Sequence, residues 1–160
     1  MTRILWVVGL VGAPLILGLV LARYPSAPAE MPTHYNLAGE ADGWGPKWVL
    51  VIILAVLVVL VEGLGWLARR PQWFNYPFEI TPVNAQAVYR AGERMMVWLN
   101  LALLAVLAGV AMTYFDLANV GTGVAVSAGL TAGIVLPPVG IGLMVRAANR
   151  AKATYNLSGP

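Results

Sequence analysis

Few side chains in this chain are equipped for chemistry. The sole histidine, His34, shares a short segment with Glu30, Glu40 and Asp42, an acidic, titratable group of a kind that can hold a cation, a lipid headgroup or a peptide. A histidine with carboxylates also supplies zinc-type donors, but the spacing specifies no geometry. Ser26 lies in the same segment as His34, yet nothing places an oxyanion site beside them. The chain has no cysteine, which removes thiol nucleophiles, disulfides, iron–sulfur ligation and Cys-bound zinc. One histidine also removes multi-histidine metal centres and haem held by two histidines. These residues point to a non-catalytic protein with no cofactor and no metal.

A second polar feature is set among apolar residues. Glu62 interrupts a long hydrophobic run, and an ionisable group inside a membrane span costs on the order of 2.5–3.5 kcal/mol on insertion scales. Glu62 lies seven residues before Arg69 and Asn100 six after Arg94, so at ~1.5 Å per residue both belong about 10 Å in from one membrane face. Antiparallel helices would then let the Asn100 amide donate to the Glu62 carboxyl. Three roles stay open for Glu62: a protonated helix glue, a proton or cation relay, or a carboxylate snorkelling to headgroup depth.

The elements that must position these residues follow from composition. With 59% hydrophobic and only 11% charged residues, the 160-residue chain lacks the charge, roughly 25%, that a soluble domain carries. A bilayer is therefore its solvent. The ten basic residues are scattered, which argues against nucleic acid as a partner. They bound four apolar intervals near the ~20 residues a helix needs to cross, giving an all-α membrane protein with spans at about 4–22, 48–68, 95–115 and 122–145. The outer loop is 23–47, the inner loop 69–94, and the whole forms a single membrane domain. The first span has an apolar run too long for a signal peptide and no A-x-A site after it, so it is expected to be retained.

Eight basic residues fall on the side of both termini and only Arg23 and Lys47 on the other, so both ends are expected to face the cytoplasm across the plasma (inner) membrane. Trp6, Trp66 and Trp98 then mark the inner boundary, and Tyr24, Trp48, Tyr114 and Phe115 the outer one. Gly121, Ala125, Gly129 and Gly133 repeat every four residues, which predicts close packing of the fourth helix; Gly9 and Ala13 offer a shorter version. Pro14 predicts a kink in the first helix, and Pro137 and Pro138 a break or bend near the end of the fourth. The last residues, ATYNLSGP, read as a frayed tail.

Both loops carry information. The outer loop is too rich in Pro and Gly for a helix, and its aromatics, acids and His34 suggest order, with turns at Asn36–Gly39 and Asp42–Gly45. In a structural account His34 and Asn36 bond the loop's own backbone, Gly39 and Gly43 serve turns, and Trp44 anchors at the interface. In a functional account His34, Tyr35, Asn36, Asp42, Trp44 and Lys47 contact a ligand or partner. The inner loop has an aromatic cluster, Trp73, Phe74, Tyr76 and Phe78, beside Arg69 and Arg70, suited to the headgroup region. Thr81-Pro82 reads as a helix start, with Thr81 as N-cap. This loop is either an interfacial anchor or a docking surface, with Asn75, Tyr76, Pro77 and Asn84 as candidates.

The string from Met31 to Lys47 resembles the signature P-x-H-[FY]-N-x-x-G-x-x-D-x-W-x-x-K of a bacterial domain of unknown function. Pro32, His34, Tyr35, Asn36, Gly39, Asp42, Trp44 and Lys47 fall on it. The string from Phe74 to Met96 is similar to a second element of that family, N-Y-P-x-x-I-T-x-E-N-A, with Val83 in place of the acid. The domain also forms the N-terminal part of SdpI-type toxin-immunity proteins. The resemblance implies immunity against a secreted toxin and capture of a repressor at the membrane. The chain thus reads as an accessory, immunity or signalling protein that binds another protein or its own copy. The other reading is a structural subunit of a membrane transporter or similar complex, joined through the Gly ladder.

Overall fold

The computed structural model describes residues 2–36, 40–115 and 123–158. Helix α1, Thr2–Arg23, leads through a 3-10 turn at Tyr24–Ser26 into strands β1, Glu30–Tyr35, and β2, Ala41–Pro46. Helix α2, Lys47–Ala68, is followed by a second 3-10 turn at Pro71–Trp73. Helix α3, Ala85–Met112, ends in a third at Thr113–Phe115, and α4 covers Gly123–Ser158. All four helices are long and apolar enough to cross a membrane, and the 22 residues of α2 give about 33 Å, sufficient for a hydrocarbon core of about 30 Å.

The side chains are distributed for lipid rather than water. Ile4, Val59 and Ile134 are 69%, 69% and 76% exposed within apolar helices, an arrangement that lipid tails match and water would penalise. α3 is the central helix: it packs on α1 and α2 along one side and on α4 along the other. The main core joins Ala13 and Val20 of α1, Leu54 and Val61 of α2 and Leu107 of α3. A second cluster, Val88, Met144 and Ala148, seats α4 on the start of α3.

Several expectations change here. The outer loop is an antiparallel hairpin, so Asp42 to Gly45 lie in β2 and form no turn. Residues 37–39, and with them Gly39, lie outside the described residues, as do Asp116, Gly121 and the turn expected before the fourth span. α1 is continuous through Pro14, and α4 is helical through Pro137 and Pro138, which therefore do not break it, and on to Ser158, so most of the expected frayed tail is helix. Proline is tolerated within membrane helices because neighbouring helices and local adjustment can satisfy the carbonyl it frees.

The four-residue ladder on α4 is also only partly used. A Cβ at Gly129 would lie 2.7 Å from the Ala102 carbonyl oxygen, so α4 touches α3 there. Gly133 meets nothing within 4 Å. A four-residue step advances about 40° beyond a full turn and walks off the contact face, whereas an eleven-residue step overshoots three turns by only about 20°. Gly140, eleven residues on, is accordingly the next close contact, with a Cβ there 3.0 Å from Met95 Cβ. Ala125 lies in α4 as well.

Candidate functional site

The hairpin consumes most of the outer-loop candidates in its own construction. Pro32 pairs with Trp44, and His34 with Gly43, with irregular register on both sides of His34. A Cβ at Gly43 would come within 2.9 Å of His34 Cβ, so the strands approach this closely only with glycine there. The His34 Nδ1–H donates to Asp42 Oδ1 at 2.5 Å. Asn36 closes the far end, accepting from the Glu40 amide at 3.0 Å and donating to its carboxylate at 3.0 Å. Tyr35 is the last residue of β1, and Trp44 projects from β2 with 64% exposure.

Lys47 is a structural tie. Its ammonium donates to the carbonyls of Tyr24 and Ala27 at 2.9 and 3.0 Å and lies over the Tyr24 ring. Its own carbonyl accepts the Tyr114 hydroxyl, and Arg23 Nε donates to the Tyr114 carbonyl. Tyr114, read from sequence as an interfacial anchor, is 2% exposed and belongs to the core. Because the side chains of His34 and Asp42 are 73% and 44% exposed, their pair is screened by solvent. His34→Ala is therefore expected to change stability by less than about 1 kcal/mol, read by denaturant titration in detergent.

The expected hydrogen bond between Glu62 and Asn100 does not form. Asn100 instead stands where three helices meet: a Cβ at Gly9 or Gly65 would lie 3.2 or 3.1 Å from its Nδ2. Trp6 Nε1 crosses beside it to the Gly65 carbonyl at 2.9 Å. Glu62 Oε1 and Asn100 Oδ1 are both buried without a partner. Asn100 faces α2 one turn further on, at Gly65, and shares that contact with Gly9 of α1.

The inner-loop candidates do converge. Segment 71–80 folds back over α3 and reaches α4. Gly92 makes room for it, since a Cβ there would lie 3.0 Å from Tyr76 Oη and 3.1 Å from the Phe74 ring. Tyr76 is the hub: its hydroxyl donates to the Pro71 carbonyl at 2.9 Å, and its ring packs near Phe74, Phe78 and Tyr89. Trp73 turns outward instead, edge-on to Trp66, with Arg70 over both rings. Between the segment and the helices lies a cavity of about 430 Å³, where Asn75, Tyr76 and Pro77 face Met95, Met96 and Met144. Among the described residues, no three His, Cys, Asp or Glu side chains converge as metal ligands would.

Asn84 is a different case from its three companions. It is fully buried, accepting from the Thr81 amide at 2.9 Å and donating to the Glu79 carbonyl at 3.1 Å. It thus closes the 79–84 turn, and Thr81 caps no helix with its side chain; α3 begins after Asn84. Burial of the Tyr76 phenol, then Tyr89 and Glu93 beside it, pushes its pKa up to about 12. The folded chain favours the neutral phenol, so this contribution to stability is full below about pH 10 and is lost as pH rises through about 12. Ultraviolet titration should show a tyrosinate component near pH 12 that Tyr76→Phe reduces by one tyrosine.

Residues 9–59, which run from α1 through the hairpin into α2, match the family model described as Domain of unknown function (DUF1648). No curated protein and no solved structure matches the chain.

Proposed function

We propose that this is a small, non-catalytic multi-pass membrane protein that acts by binding another protein at its basic end, in the groove between segment 71–80 and α4. The observation that carries this reading is the groove's lining: aromatic rings on one wall and three methionines on the other. Flexible, polarisable methionines adapt to varied apolar side chains, a chemistry suited to a peptide or helix ligand. The outer hairpin supports the same assignment by contrast, since His34, Asn36, Asp42 and Lys47 are occupied with one another and with backbone.

In this reading the basic end faces the cytoplasm of a bacterial plasma membrane, by its excess of arginine and lysine, and a cytosolic partner docks there. The resemblance of the hairpin sequence to SdpI-type proteins makes toxin immunity or signalling the specific form proposed. A photo-crosslinking residue at Pro77 should give a discrete adduct in native membranes, and one at Trp48 should not. Met144→Trp, which fills the groove, should abolish the adduct, and a deletion strain challenged with its neighbours' secreted toxins should lose protection. Equal adducts at both positions would overturn the assignment. A second reading, a subunit of a larger membrane assembly, draws on α4, where Gly133 and Gly142 have open space. A stoichiometric membrane partner in mild detergent would favour it.

A further inference from the structure

We propose that the seam between α3 and α4, on the side away from segment 71–80, binds an anionic phospholipid from the bilayer, with its phosphate at Arg90 and Arg94 and one acyl chain along the seam. The site is a cavity of about 380 Å³. Its α3 wall carries Arg90, Arg94 and Trp98, each one turn further along the helix. Its α4 wall is apolar, running from Ala147 opposite the arginines to Leu136 opposite Trp98. Charge therefore heads the groove and hydrocarbon floors it, the same polarity as a phospholipid lying beside the helix.

Depth agrees with this placement. Arg94 lies 21 residues before Phe115, which at ~1.5 Å per residue is about 31 Å, the thickness of a hydrocarbon core. With Phe115 at the far boundary, Arg94 sits at the near one and Arg90 about 6 Å further, among headgroups. Both arginines are exposed, and among the described residues neither makes an ion pair or a hydrogen bond within the chain. No acid lines the cavity. Glu79 lines a different cavity, and Glu93 acts electrostatically on Tyr76. Two guanidiniums one helical turn apart at headgroup depth suit a phosphodiester oxygen pair, and the glycine at 140 keeps the two helix backbones close beneath them.

The test uses the full chain in mild detergent, titrated in native mass spectrometry with phosphatidylglycerol, with phosphatidylcholine of the same acyl chains, and with glycerol phosphate. Phosphatidylglycerol is expected to be preferred over phosphatidylcholine by roughly thirtyfold at low ionic strength, with glycerol phosphate failing to displace it. R90Q/R94Q should remove the preference, while R90K/R94K and R146Q/R150Q should keep most of it. Leu143→Trp, which blocks the acyl path, should weaken retention of both lipids. Equal binding of the two lipids, a preference that survives R90Q/R94Q, or displacement by glycerol phosphate would each overturn the proposal.

Discussion

Replacing Tyr114 with alanine is expected to lower the stability of the folded chain by about 3–5 kcal/mol, the largest effect of any single substitution outside the helix contacts. Tyr114 is 2% exposed and fills the hairpin end of the core beside Leu54 and Leu107. It also links three elements through polar atoms, donating its hydroxyl to the Lys47 carbonyl at the start of α2 and accepting Arg23 Nε from the end of α1. Truncation removes an aromatic ring from a packed site and strands the Lys47 carbonyl at once. Tyr114→Phe retains the ring and should cost only about 1 kcal/mol. Unfolding titrations in mixed micelles distinguish the two, and an alanine variant no weaker than the phenylalanine one would refute the packing argument.

Gly129→Leu is expected to detach α4 from α3, at a cost of about 3 kcal/mol or more. The first added carbon would run into Val106 Cγ2 and lie 2.7 Å from the Ala102 carbonyl oxygen, and that oxygen is helix backbone, which cannot yield without moving a whole element. Gly133→Leu, four residues on, enters open space and should stay within about 0.5 kcal/mol of the unsubstituted chain. A cysteine crosslink between Met95 and Gly140 reports the outcome: it should form in the Gly133 variant and be lost in the Gly129 variant. If the two variants crosslink alike, the α3–α4 contact does not rest on that glycine.

The same comparison separates what periodicity can and cannot reveal. The residues Gly121, Ala125, Gly129 and Gly133 form a visible ladder, but only the turn-by-turn drift of a real helix decides that Gly129 and Gly140 touch α3 while Gly133 does not. The outer loop shows a related limit. Its prolines and glycines announce a non-helical, ordered segment, yet they obscure the strand pattern. At Gly43 the glycine marks a close strand approach to His34, where sequence alone suggested a turn. Asn84 stands in the sequence as a docking candidate of the inner loop. Here Asn84 itself is fully buried, and its amide bonds are internal.

Charge spacing and apolar length were sufficient, by themselves, to determine four membrane helices and the grouping of eight basic residues toward one end. The physical reason is that apolar length and the placement of charge decide the insertion of each segment largely by its own composition. Contacts between segments are not additive in that way. The meeting of Gly9, Gly65 and Asn100, the burial of Tyr114 at the hairpin end of the core, the groove of Asn75, Tyr76 and Pro77 against three methionines, and the arginine-headed seam at Arg90 and Arg94 all join residues distant in the chain. Those juxtapositions depend on which helix faces which, a choice made by side-chain packing among four helices, and so only the tertiary structure decided them.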